Sequence, residues 1–435
     1  KVLILKKIGF YFLFIIGILQ GNLMGATIKH IEIKGVQIPV IFEEQKALPI
    51  LNLQLVFQNS GYIQDKDKSG LVSLSSKLLN EGTKELGATA FAQELEENAI
   101  SLTTSNGFET FVIELSNLKE QSNKGLSLLT DLLKSPNFSQ DTLDKLKTIQ
   151  NGSLKRKEND FDYVAQNQLK SVLFAGTALE NPSSGTIETT SKIQLKDIEN
   201  FITNTISLSN LIIVAGGDFE EEEFEKFIKP FLETLKVGQK NEFQKINFIS
   251  KNDEKTLIKD TEQAYIYFGS SFNADSKDEE NYKAKVASFI LGGSGFGSRL
   301  MEEIRVKRGL AYSAYGSISI NKSHTYFNGY LQTKNESANE AKDLVKQLVA
   351  QFVKDGVTQE ELTAAKNFLT GSEPLRSETL SQRLNSAFTL YYRGLEQDYS
   401  KKELEKIQNL KLEDLNSYIK SHNEINNLTF SIVRK

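Results

Sequence analysis

Arg305 and Tyr312 are the residues whose types and spacing best suit chemistry. The first sits at the end of a charged helical segment and the second at the start of a strand. A guanidinium and a phenol placed that way converge on one crevice, and two donors of that kind suit a polarised carbonyl or a peptide backbone. Gly292, Gly293, Gly295 and Gly297 precede them in the run Gly-Gly-Ser-Gly-Phe-Gly-Ser-Arg-Leu, where glycine lets the backbone turn tightly and approach a ligand. Arg308-Gly309 closes the helix. On spacing alone, a corner with ordinary surface residues fits equally well. A nucleotide cradle is disfavoured, because the run has neither the dinucleotide glycine spacing nor a Gly-Lys-Ser/Thr ending.

Other chemistries find little material. The 435 residues contain no cysteine, which removes disulfides, thiolate metal ligands and thiol nucleophiles. The three histidines, His30, His324 and His422, share no helical turn. Glu220–Glu223 is an acidic cluster, but carboxylates in a helix's first turn are favoured by its dipole, so it reads as solvated structure. No Gly-x-Ser-x-Gly elbow presents a nucleophile, which leaves an independent hydrolase poorly supported. A net charge of −4 gives no support for nucleic-acid binding.

The elements that must position these residues form two series. Lys1, Lys6 and Lys7 precede an apolar run from Ile8 to Leu19, which reads as a signal peptide over residues 1–26 and predicts an exported, periplasmic chain with no stable membrane anchor. The alternative is an uncleaved anchor, since Leu23 and Met24 make an imperfect cleavage site. Removing the three lysines takes the net charge from −4 to −7. A chain of this length divides into more than one domain. Residues 27–237 read as strands and helices, with the strand Leu211–Gly216 leading into a last helix after Asp218. Residues 238–253 are polar and lysine-rich and make the linker. Residues 254–435 then repeat the order of strand, helix, strand pair, helices and strand. That is a duplication of about two hundred residues, and it predicts an α+β fold of two homologous domains, each a mainly antiparallel sheet packed with helices.

Two passages carry a family resemblance. One is Gly70-Leu71-Val72-Ser73-Leu74-Ser75-Ser76-Lys77-Leu78-Leu79-Asn80-Glu81-Gly82-Thr83. The other runs from Gly297-Ser298-Arg299-Leu300 through Arg305 to Gly309-Leu310-Ala311-Tyr312. With them, the chain resembles the insulinase (pitrilysin) family of zinc endopeptidases, in its bacterial and mitochondrial-processing-peptidase-like branch. Active members carry a His-x-x-Glu-His motif, in which two histidines one turn apart hold zinc and the glutamate activates water. Here the matching positions are Ser73, Ser76 and Lys77, and the distal glutamate falls at or near Ser153. Hydroxyls are poor zinc ligands and an ammonium repels a dication. This chain is therefore expected to bind no cofactor.

In that branch one subunit holds zinc while another provides an arginine and a tyrosine. The resemblance thus implies that Arg305 and Tyr312 contact a peptide substrate in a site completed by a zinc-bearing paralogue. It further implies that Gly292, Gly293, Gly295 and Gly297 guide substrate, and that an edge strand with Ser101, Thr103 and Ser105 pairs with an extended peptide. An inert scaffold of the same fold is the other reading.

Overall fold

In the computed structural model, residues 25–249 and 252–435 are described. The signal-peptide reading of residues 1–26 falls almost wholly outside them. No described helix is long and apolar enough to cross a membrane.

Eleven strands are present among the described residues. They are β1 (Thr27–Ile33), β2 (Val36–Glu44), β3 (Ile50–Gln58), β4 (Ser101–Asn106), β5 (Thr110–Leu118) and β6 (Leu211–Gly217). The second half supplies β7 (Glu254–Ile258), β8 (Gln263–Ser271), β9 (Ala311–Ile320), β10 (Thr325–Lys334) and β11 (Thr429–Arg434). The first sheet runs β1-β2-β6-β3-β5-β4 and the second β7-β11-β8-β10-β9. Without β1 the two orders superpose term by term. Each has one parallel pair, β2 with β6 and β7 with β11, and is otherwise antiparallel. The expected duplication and α+β class are therefore what the chain folds into. β4 and β9 hold the same place in the two sheets, each the last strand in its order.

Alternation explains how each sheet finds its core. In β3, Leu51, Leu53, Leu55 and Phe57 are buried at every second position, under the helices Leu71–Leu79 and Ser122–Lys134. β6 is buried at every position, because its second face is covered as well. The cover comes from the other half of the chain. Helix Leu380–Arg393 lays Leu380, Leu384 and Ala387 against Ile41, Val56, Ile212 and Val214. Helix Phe161–Leu173 crosses in the opposite sense and packs on β8 and β11. Each half thus lends one helix to the other's sheet.

The 238–253 linker is pinned along its described part. Asn210 accepts from the Asn241 N–H, Ile246 N–H donates to Ser323 O and Ile249 N–H to Leu173 O. Strand β7 begins directly after it, and the sequence reading did not assign that strand.

At the junction of the halves, the His324 ring is packed by Phe108, Phe174 and Tyr326, at centroid distances of 5.2, 5.6 and 5.6 Å. Burial, with Lys170 adding repulsion, pushes its pKa down to about 4. A histidine whose folded value lies below its unfolded one contributes stability above the unfolded pKa and loses it as pH falls. We expect stability to fall by about 2–3 kcal/mol between pH 6.5 and 4 from this group alone. Urea midpoints across that window check it: the loss attributable to His324 should vanish in His324→Phe.

Candidate functional site

The second-half corner is built on a close backbone approach. Gly292 is buried, and a Cβ there would overlap the backbone N, Cα and O of Gly316 in β9. Its role is therefore packing, which corrects the expectation that it guides substrate. Gly293 is exposed, and Gly295 and Gly297 take positive φ (+66° and +90°), carrying the loop outward with Phe296 at its tip. Phe296 is 69% exposed. Ser298 Oγ then donates to Gly295 O (2.7 Å) and fixes the loop's end.

The helical segment Arg299–Val306 follows, and it is wider than a regular α-helix over Met301–Val306. Lys307 N–H reaches back five residues to Glu302 O (2.9 Å), a π-type turn of the sort common at functional sites. Gly309, at φ +61°, ends it. Arg299 anchors the segment from below. Its guanidinium forks onto Glu361 (2.5 and 2.6 Å) and reaches Gly356 O (2.7 Å). Burial alone would raise the Glu361 carboxyl, but the Arg299 fork outweighs it and holds the group below its ordinary value.

Arg305 emerges from this base. Its guanidinium carbon lies 4.6 Å from the ring centroids of both Phe296 and Tyr312, over each ring. Arg305 and Tyr312 do converge, as their spacing predicted. Tyr312 is 81% exposed. The pairing of β9 with β10 explains its direction: Ala314 faces Leu331 but Ala311 faces Thr333, so β9 carries one extra residue around Tyr312 and Ser313. A bulge of that kind re-aims a side chain. Nothing in the spacing singled out Phe296. The available signal was an aromatic between two glycines.

The first-half corner is assembled differently. Asp65 caps helix Leu71–Leu79, accepting from the N–H groups of Gly70 (2.8 Å) and Val72 (2.9 Å). On that helix Ser76 is buried and donates to Thr104 O (2.9 Å), while Thr104 Oγ1 donates to Ser76 O (2.6 Å). Lys77 Nζ donates to Gln150 Oε1 (2.5 Å). Partial desolvation, with Lys157 adding repulsion, lowers the Lys77 ammonium's pKa. The residue that meets Lys77 is thus Gln150, and Ser153 lies one turn further along helix Gln140–Lys157. That corrects the alignment on the following basic stretch. Gln150 is held in turn by donating to Ser184 O (2.6 Å).

Zinc does not fit here. Ser73, Ser76 and Gln150 bring neutral oxygens where histidine and carboxylate are needed, and Lys77 brings a cation. Among the described residues there is no group of three or more His, Asp or Glu able to hold a metal ion.

β4 is the edge strand the sequence predicted, with Ser101, Thr103 and Ser105 exposed on one face. Its open edge is partly closed, however. Asn80 accepts from Thr104 N–H (2.7 Å) and donates to Thr104 O (3.0 Å), so its amide stands where a pairing peptide would. By the alternation of an antiparallel ladder, the backbone groups of Ser101, Thr103 and Ser105 turn toward β5. We expect Asn80→Ala to cost about 1–2 kcal/mol by leaving the Thr104 N–H unpaired, while Thr104 O keeps its bond from Ser76 Oγ. A urea unfolding midpoint unchanged from the parent chain would contradict it.

Comparison with known proteins agrees with this geometry. Residues 40–187 match the family model described as insulinase (peptidase family M16), and residues 192–369 match the peptidase M16 inactive domain. A non-peptidase homologue, YmxG, of Helicobacter pylori is 44% identical over 97% of this chain and 98% of its own length. The chain belongs to the insulinase family, peptidase family M16.

Within family M16 it keeps the fold, while Ser73, Ser76 and Lys77 stand where the zinc motif would be. The structure of an M16 inactive domain from Pseudomonas fluorescens superposes with a TM-score of 0.85 at 23% identity, covering 94% of this chain and 98% of that one. The mitochondrial-processing peptidase subunit beta of Dictyostelium discoideum is 24% identical over 50% of this chain and 48% of its length.

Proposed function

We propose that this M16 homologue is the substrate-binding, non-catalytic subunit of an exported heterodimeric zinc endopeptidase acting on peptides or unfolded segments. The observation that carries the reading is the asymmetry between the two corners. The first has replaced every group able to hold a cation, and the second holds an arginine and a tyrosine together on an exposed rim. In a pair, Arg305 and Tyr312 grip the substrate carbonyl or the oxyanion formed as water adds, donors placed where charge develops. The partner is a zinc-bearing paralogue with an intact His-x-x-Glu-His helix. Export is part of the proposal and rests on the lysine-flanked apolar run near residue 1.

The experiment is co-purification and mixing. This chain with a zinc-bearing paralogue should cleave an unstructured fluorogenic peptide that neither hydrolyses alone. The rival reading, an inert scaffold of the same fold, expects a partner to bind with no change in its cleavage rate. That result would refute the proposal.

A further inference from the structure

The junction of the two halves encloses a cavity of about 380 Å³, and both helices that cross between the halves line it. Helix Phe161–Leu173 brings Lys170. Helix Leu380–Arg393 brings Phe388 and Tyr392, stacked with their ring centroids 5.6 Å apart. Tyr62 and Phe108, edge to face at 4.8 Å, close it from the first half, and Tyr326 from the second. A space of that size lies near the lower end for small-molecule sites, with room for one ring and its substituents.

The charge in this lining is unbalanced. Lys170 has no carboxylate within ion-pair distance and no hydrogen-bond acceptor among the described residues, and burial lowers its pKa. It stands near enough to His324 to help hold that ring neutral. The other polar groups are occupied. Glu109, the one acid of the lining, accepts from the Ser323 N–H (2.8 Å). The His324 nitrogens meet Ser323 Oγ (2.9 Å) and Asn321 Nδ2 (3.2 Å). Aromatic walls alone would suit an organic cation. Here Lys170 repels one, as does Lys322, whose ammonium sits 4.3 Å from the Tyr392 ring centroid. An ammonium without an acceptor between apolar walls is matched by an anion carried on an apolar body.

We propose that the junction cavity binds an aromatic carboxylate, with the ring packed by its aromatic walls and the carboxylate on Lys170. Two sources share that chemistry: the C-terminus of a peptide ending in an aromatic residue, and a free aromatic acid. The site uses none of the residues of the Arg305 corner and does not depend on the part assigned to them. Because both halves and both crossing helices line the cavity, its occupant bridges the two halves of the chain.

Isothermal titration calorimetry of the purified full chain tests this, in EDTA and without any partner, so that its outcome is separate from reconstituted cleavage. The probes are N-acetylphenylalanine, its neutral amide, phenethylamine, and an unstructured decapeptide ending in phenylalanine with a free or an amidated C-terminus. The free acids are expected to bind at least about tenfold more tightly than the matching amides, the scale of a charge-assisted hydrogen bond. Lys170→Met should erase that preference and Lys170→Arg should retain it, both with the circular dichroism spectrum of the parent. Tighter binding of the decapeptide than of N-acetylphenylalanine assigns the peptide terminus, and binding of N-acetylphenylalanine alone assigns the free acid; either supports the site. Equal affinity for acid and amide, a preference for phenethylamine, or no saturable binding of any probe at millimolar concentration would overturn the proposal. So would an acid preference unchanged in Lys170→Met.

Discussion

Arg305→Ala is expected to depress peptide cleavage by the reconstituted pair by about a hundredfold to a thousandfold, while the two subunits still co-elute. That is the cost of deleting a pre-placed donor from a developing oxyanion. Assembly should survive, because the side chain stacks on exposed rings and carries no ion pair among the described residues. The base of the corner is held by Arg299 on Glu361 and is untouched by the change. Tyr312→Phe separates the two donors. It keeps the ring beneath the guanidinium and removes only the hydroxyl, so the loss should be smaller. A cleavage rate in Arg305→Ala within twofold of the parent pair would place the arginine outside the reaction, as would a loss explained entirely by failed assembly.

Gly292→Ala is expected to destabilise the chain by about 3 kcal/mol or more. The added carbon has no flexible side chain to push aside: it meets the backbone O and Cα of Gly316 at 2.7 and 2.8 Å, and strand β9 has to move. Overpacking that shifts backbone stands at or above the upper end of the usual cost. Gly297→Asn is the control. Nothing lies within 4 Å of a Cβ there, and asparagine tolerates positive φ, so about 1 kcal/mol or less is expected. Urea denaturation of both variants decides the matter. If Gly292→Ala were as mild as Gly297→Asn, the close approach of the loop to β9 would be wrong. The contrast also separates the four glycines by role: Gly292 packs, while Gly295 and Gly297 shape the loop that presents Phe296.

The fold was legible wherever burial left a period in the sequence. β3 alternates because one face meets helices, and β6 reads as a continuous apolar run because both faces are covered. What the run in β6 could not reveal was which helix supplied the second cover. That contact joins residue 212 to residue 384, across the pinned linker. β7 was illegible for the opposite reason: Glu254–Ile258 is almost wholly exposed and is held by parallel pairing with β11, so it carries no apolar signature. Helix Tyr399–Asn409 buries only Ile407, and its charged sequence resembles a loop.

The site divides in the same way. Arg305 and Tyr312 were readable as a pair because one turn and one strand start fix their separation. The bulge that aims Tyr312 was not readable, since it depends on register with β10. Gln150 escaped because its place opposite Lys77 is set by how two helices pack, whereas Ser153 was chosen from a linear alignment. Asn80 escaped because its role lies in a strand edge reached only after the chain folds back.

In the proposed division of labour this chain grips a peptide and its partner holds the metal. Zinc content and proteolysis of the purified full chain, dialysed against zinc and then against buffer, test it most directly. The expected result is far less than one zinc per chain and no cleavage of an unstructured peptide, with both appearing only when the paralogue is added. One retained zinc per chain, or steady cleavage by this chain alone, would contradict it.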